Sequence, residues 1–305
     1  MDETQRLFYR KNFQVRFLRS TATEFQNLFS DIMQRVYKAD FQKVRPYGKH
    51  GDLKCDGFLS SKGAVYQCYA PRELKEKETI HKIKVDYPGA KKHWRDQMKQ
   101  WVFVHNDNDG LPGGVVRHLH VLKTSEKKKV EVFWWSEPEL IGEMEKLDEA
   151  DLVDLFGPQP TKVQSQIISF PELQTVLTAI SKSIPDPEPV IKAPSPEKIA
   201  HNNLSEDTTR FLHLGRHLER EVQKFLEKWP DPAFADQIAE TFRNQYDALR
   251  NTGLNSEEIF VGILRFCGFN QGNGSAHNTA VLAVVSYFFE RCDIFEDPDA
   301  VVFSA

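Results

Sequence analysis

The sequence predicts a three-layer α/β domain built on a mixed sheet, followed by an all-α domain, and three observations lead to it. An amphipathic helix precedes two short β-rich runs separated by a tight turn. Two further strand-like runs follow, the second leading straight into a helix, an order that suits a mixed sheet covered by helices. Beyond a proline-rich stretch, every apolar pattern is helix-spaced.

The helix is the clearest element: over residues 22–38, Phe25, Leu28, Phe29, Ile32, Met33, Val36 and Tyr37 fall at i, i+3, i+4, i+7, i+8, i+11 and i+12. Thr21 followed by Glu24 fits a capping box at its start. After a turn at Pro46-Tyr47-Gly48, the runs Cys55 to Leu59 and Ala64 to Tyr69 flank the Ser60 to Gly63 turn and predict a hairpin. Ala90 to Gln100 follows as a helix and Trp101 to His105 as a strand. His118 and His120 then alternate as if on a strand, within a connection read as a loop. Without a third ligand nearby they are read as structural. Val130 to Trp135 is an aromatic and β-branched strand, and Glu137 to Leu147 a helix. These elements make a first domain over 1–157.

Residues 158–200 predict a helix and then a semi-rigid linker, because Pro185, Pro187, Pro189, Pro194 and Pro196 crowd into 183–200. Residues 201–305 predict a helical domain with helices at Arg210 to Trp229, Pro232 to Arg250, Ser256 to Phe266 and Ala276 to Glu290. The Gln271 to Ser275 run lacks the Gly and Lys spacing of a phosphate loop and is read as a connection between helices.

Composition narrows the class. A chain of 305 residues, 40% hydrophobic and with 22 Phe, can bury a large core. The opening residues lack the apolar core of a signal peptide, and no stretch approaches a bilayer span, so a cytoplasmic protein is expected. Cys55, Cys68, Cys267 and Cys292 form no CxxC pair, which argues against a zinc ribbon or a disulfide framework. The net charge of -4 is unevenly spread: residues 41–100 hold 14 Lys/Arg against 7 Asp/Glu, leaving 26 against 37 elsewhere. The basic excess surrounds the hairpin, where a phosphate-facing surface would need it. A Lys-rich run such as Lys75 to Lys84 is equally what a solvated face looks like.

Hydrolysis of a phosphodiester at neutral pH needs a divalent cation, and that cation needs hard oxygen ligands. Asp56 on the first strand of the hairpin and Gln67 on the second, 11 positions later, can lie side by side across a tight turn. Alternation points Gln67 and Tyr69 to one face, with Tyr66 and Cys68 on the other. Glu24 can add a third oxygen from the preceding helix, or serve only as the cap of that helix.

The pattern G-D-x-K-x-D-G at Gly51 to Gly57, followed by V-Y-Q-C-Y at Val65 to Tyr69, resembles the Mrr-type branch of the PD-(D/E)xK nucleases. The resemblance covers about residues 20–147 and extends to W-V-F-V-H-N, V-E-V-F-W-W and the S-E-P-E-L helix. It implies a restriction-endonuclease-like fold. It also implies a Mg²⁺ or Mn²⁺ ion held by Asp56, Gln67 and Glu24, with Asp52 assisting or replacing Asp56. Lys75, Lys84, Lys91 and Lys92 would then contact DNA. The departure is Tyr69, which stands where that family has its catalytic lysine; a phenol with a pKa near 10 is a poor substitute. Lys54, Lys75 and Lys84 are candidates to supply the amine from elsewhere.

In the C-terminal part, G-L-N-S-E-E-I-F-V-G-I-L and A-V-L-A-V-V-S-Y-F-F-E-R-C-D-I-F-E resemble the helical modules of bacterial ABC-three-component systems. That resemblance implies docking on an SMC- or ABC-type ATPase in a complex for defence against phage and plasmids, and it leaves homo-oligomerisation open. Two readings follow: a metal-dependent DNA endonuclease effector, and a catalytically inactive nuclease-like subunit that binds DNA or protein. A third, with a merely solvated basic segment, is an interaction protein without a nucleic-acid role.

Overall fold

The computed structural model describes residues 1–44, 53–107, 110–126, 129–166, 170–181, 202–231, 233–270, 274–291 and 295. The turn expected at Pro46 to Gly48, Asp52, the proline-rich stretch over 183–200, most of the Gln271 to Ser275 run and Cys292 lie outside those residues. The chain divides into two compact units, one of Arg16–Asp151 and the other of Met1–Val15 with Leu152–Ala305. The first fifteen residues thus cluster with the C-terminal part, where the sequence placed 1–157 in one domain.

The unit Arg16–Asp151 is a mixed sheet with helices on both faces. It begins with the last turn of α1 (Glu3–Arg19) and with α2 (Ala22–Tyr37), which matches the helix read from its apolar spacing. The capping box does not form, and Thr21 makes no side-chain cap. The backbone takes over that role: Glu24 N–H donates to the Thr21 carbonyl at 3.0 Å, and Ala22 N–H donates to the carbonyl of Ala70 at 2.8 Å. The strands are β1 (Phe41–Lys43), β2 (Gly57–Leu59), β3 (Ala64–Tyr69), β4 (Gln100–His105) and β5 (Glu131–Trp135), hydrogen-bonded in that order. The first three form an antiparallel meander, while β3, β4 and β5 run parallel.

Gly63 makes the hairpin possible. It sits at φ +56, where a side chain is disfavoured, and a Cβ there would stand 2.5 Å from the carbonyl oxygen of Gln97. The parallel pairs require crossovers, and helices supply them. The first is α3 (Glu76–Trp94), which starts well before the expected Ala90 and ends before Gln100. Thr79, Ile83, Tyr87 and Ala90 give it a buried stripe at helical spacing, so the Lys-rich run is a helix with a solvated outer face.

The second crossover, read as a loop with strand-like histidines, is α4 (Gly113–Glu126), because Val115 and Leu119 repeat at i, i+4 and are both fully buried. His118 and His120 therefore ride on a helix; the His120 ring meets Trp134 edge-on at 5.0 Å. On one face of the sheet, Tyr66 packs against Phe29 of α2 at 5.2 Å. The other face is a cluster of Val65, Trp101, Phe103 and Val132 with Ile83, Tyr87, Val115 and Leu119 of the two crossover helices. α5 (Glu137–Met144) closes the unit with a capping box of Ser136 and Glu139.

The other unit is helical among its described residues. It contains the first four turns of α1, most of α6 (Glu149–Phe156), and α7 (Phe170–Ser181), α8 (Glu206–Arg216), α9 (Glu219–Glu227), α10 (Phe234–Arg250), α11 (Ser256–Phe266) and α12 (Ser275–Glu290). The single helix expected over Arg210 to Trp229 is broken at His217 and Leu218. Gly215, just before the break, lies so close to α12 that a Cβ would clash with Ser286 Oγ. Every residue from His277 to Phe289 is buried, so α12 is the central helix, as its all-round apolar sequence requires.

α1 is anchored in this unit by Phe8, whose ring meets Phe211 at 5.1 Å, and by a lysine that is 1% exposed. Lys11 Nζ donates to Gln14 Oε1 and Thr208 Oγ1 and lies 3.6 Å from Glu257 Oε2. Burial pushes the Glu257 carboxyl upward, but the Lys11 charge and the hydrogen bonds from Ser205 and Thr208 hold it below its ordinary value. Removing Lys11 strands a buried carboxylate. Lys11→Met is therefore expected to destabilise this unit by about 3 kcal/mol in a urea melt, and Lys11→Met/Glu257→Leu to recover most of it. No recovery in the double variant would show that the pair is not what anchors α1.

Candidate functional site

The hairpin brings Asp56 and Gln67 together. β2 pairs with β3 so that Gly57 faces Tyr66, and the Asp56 N–H donates to the Tyr66 carbonyl at 2.8 Å. The next step of the register sets Asp56 opposite Gln67. Gln67 Nε2 donates to Asp56 Oδ2 at 2.8 Å, and the Cys68 N–H donates to the same oxygen at 2.7 Å. Both side chains are buried, Asp56 being 5% and Gln67 2% exposed. Gln67 Oε1, the acceptor end of the amide, is buried without a hydrogen-bond partner. An orphaned oxygen beside a buried carboxylate costs free energy unless a donor or a cation reaches it.

Tyr69, two residues on and half-buried, lies on the face of Gln67, its ring 6.0 Å from Phe103. Lys82 of α3 places its ammonium over that ring, 5.7 Å from the centroid. One turn further, Asp86 is 2% exposed and accepts from Lys82, with Lys54 Nζ 3.1 Å from its other oxygen. Burial raises the Cys68 thiol well above its ordinary range, the Asp56 charge adds to this, and Lys82 opposes it. The buried thiol thus lies within electrostatic reach of both Asp56 and Lys82.

The other expected residues are more scattered. Glu24 is exposed in the first turn of α2, and Asp52 lies outside the described residues. Lys75 precedes α3 and pairs with Glu73 at 3.2 Å. Lys84 and Lys92 are exposed on α3, whereas Lys91 donates to Glu126 at 2.7 Å. Among the described residues there is no group of three or more His, Cys, Asp or Glu able to hold a metal, so any ion at the hairpin would rest on Asp56, the amide oxygen of Gln67 and water. Lys82 and Asp86 did not emerge from the sequence. The available signal was their own spacing, since i and i+4 share a helix face while Lys84 points away from it.

His105 was also missed. It ends β4 opposite Tyr69, is 2% exposed, and its Nδ1 accepts from the Asp107 N–H at 3.3 Å. Burial lowers it from an ordinary 6.5 to about 4, against a weaker upward pull from Glu139. Between those values the unfolded chain binds a proton that the folded chain does not, so stability is lost as pH falls through that window. The loss from about pH 7.5 to about pH 5 should be roughly 2 kcal/mol by urea titration, and His105→Gln should flatten the slope. An unchanged slope in that variant would assign the pH dependence to other groups.

Residues 171–296 match the family model of C-terminal domain 10 of the ABC-three component (ABC-3C) systems. That part of the chain is similar to a C-terminal domain of such three-component systems. No curated protein matches the chain, and no solved structure does. Among the described residues no helix is long and apolar enough to cross a membrane.

Proposed function

We propose that the protein is a metal-dependent DNA endonuclease effector of an ABC-three-component defence complex. The observation that carries this reading is the buried Asp56–Gln67 pair with its orphaned amide oxygen, two residues before the Tyr69 ring that the ammonium of Lys82 covers. Magnesium or manganese fits that donor set, since each accepts a carboxylate and an amide oxygen and keeps several waters. When bound, such an ion lowers the pKa of a coordinated water and stabilises charge on a phosphate. Asp56 supplies the negative charge that holds it, and the β3 backbone fixes Asp56 through the Cys68 N–H. Gln67 gives its NH₂ to Asp56 Oδ2, which leaves its carbonyl oxygen unpaired and free to accept a cation. Lys82 stands in for the amine that Tyr69 lacks, orienting the attacking water or stabilising the phosphate oxygens. The exposed Lys84 and Lys92, with Lys75, offer phosphate contacts on the same helix or at its start.

The second reading, a catalytically inactive subunit that binds DNA or protein, is favoured by Tyr69 in the lysine position and by the two donors already on Asp56 Oδ2. The deciding assay incubates the full chain, alone and with the products of its genomic neighbours, on linear and supercoiled DNA with Mg²⁺ or Mn²⁺. Metal-dependent cutting supports the effector. Salt-sensitive duplex binding without cutting supports the second reading, and neither cutting nor salt-sensitive binding removes DNA from both.

A further inference from the structure

Within the helical unit, the start of α7, the end of α11 with Cys267 and Gly268, and the start of α12 wall a cavity of about 480 Å³. Two side-chain atoms in that wall are buried without a hydrogen-bond partner: Glu172 Oε2 and His277 Nε2. His277 is more than nine-tenths buried, at 8% exposed. Its ring hydrogen-bonds to the backbone of Cys267 and Gly268. Backbone carbonyls only accept, so the ring donates through Nδ1, and Nε2 presents a bare lone pair. Burial lowers the His277 pKa, which favours that neutral form.

Cys267, also in the wall, is buried, and its thiol is pushed far above its ordinary value, so it stays uncharged. Among the described residues no Lys or Arg lines the cavity. Among the described residues the wall thus offers a carboxylate oxygen and an imidazole lone pair, both acceptors and both unsatisfied, and no cation to meet them. An unmatched buried acceptor costs about 1–3 kcal/mol, so two on one cavity call for an occupant rich in donors.

We propose that this cavity binds the guanidinium of an arginine side chain presented by a partner protein. A planar five-donor fork can satisfy two separated acceptors at once, which an ammonium point charge does less well. The cavity volume exceeds a lone guanidinium and admits the side chain with its main chain at the mouth. The segment that holds the wall, 171–296, carries 12 Lys/Arg against 18 Asp/Glu, so its charge complements a basic partner surface. This site is independent of the hairpin and of any nuclease activity.

The test uses the full chain and two probes, acetyl-arginine methylamide and its neutral isostere acetyl-citrulline methylamide, with the His277 ring resonances as readout. The arginine probe should shift those resonances saturably with a Kd on the order of 1 mM, the citrulline probe should not, and Glu172→Gln should weaken binding at least about tenfold. Thr175→Arg, at an exposed position of the wall, should fill the cavity from within and abolish probe binding, which keeps the test open if the glutamate variant folds poorly. Equal response to both probes, or none to either, overturns the proposal. The source is decided by pull-down with the purified products of the neighbouring genes. Glu172→Gln and Thr175→Arg should weaken that complex; an undiminished complex despite lost probe binding would overturn the partner's arginine in favour of a free guanidinium compound.

Discussion

Asp56→Asn is expected to abolish metal-dependent DNA cleavage, by about 10³-fold or more, while leaving the protein folded. Asparagine keeps the shape of the side chain and an oxygen for the Cys68 N–H, now 2.7 Å from Oδ2. What it loses is the negative charge, the single strongest attraction the hairpin offers a divalent cation. That same oxygen goes on accepting from Gln67 Nε2, while the NH₂ takes the place of Oδ1 and trades an acceptor for a donor there, so a modest cost of about 1–3 kcal/mol should accompany the change. Circular dichroism and a urea melt separate that cost from catalysis, and isothermal titration with Mn²⁺ reads ion affinity directly. A folded Asp56→Asn protein that cuts as well as the parent would remove the hairpin from the chemistry.

The elements that were legible in the sequence are those whose signals are local. α2 shows its apolar spacing over four turns, and the β2–β3 hairpin is marked by a tight turn between β-rich runs. Register arithmetic across that turn was enough to put Asp56 beside Gln67, where Nε2 meets Oδ2. α1 was hidden because its buried Phe8, Phe13 and Phe17 are interleaved with Arg and Lys, one of which, Lys11, is itself buried by its partners in distant sequence. α4 was hidden because a β-branched start and two alternating histidines mimic a strand, and only the packing of Val115 and Leu119 shows the helix.

The amine of the site was hidden for the same kind of reason. In a run where lysines recur at 75, 77, 82 and 84, composition cannot say which one turns inward. The answer depends on helical phase: Lys82 shares its face with Asp86 and reaches Tyr69, while Lys84 stands about 200° around the helix and is exposed. Lys54, one of the candidates named from sequence, does reach this cluster, but its contact is with Asp86.

The inward phase of Lys82 makes it the sharpest test of the proposed chemistry. Lys82→Met should lower cleavage by about 10²–10⁴-fold, the usual range for a group that moves or holds a proton in the transition state. Its structural cost should be small, because the side chain is 31% exposed and Asp86 keeps Lys54 at 3.1 Å. Loss of activity alone does not distinguish chemistry from the support Lys82 gives Asp86, so a second substitution is needed. Tyr69→Lys in the Lys82→Met background returns an ammonium to the same place from β3 instead of α3, and should restore a measurable part of the rate. If Lys82 merely braced Asp86, Tyr69→Lys would restore stability at most and no cleavage. If Lys82→Met cuts normally, the ammonium over Tyr69 is a structural cation–π contact and the amine must come from elsewhere.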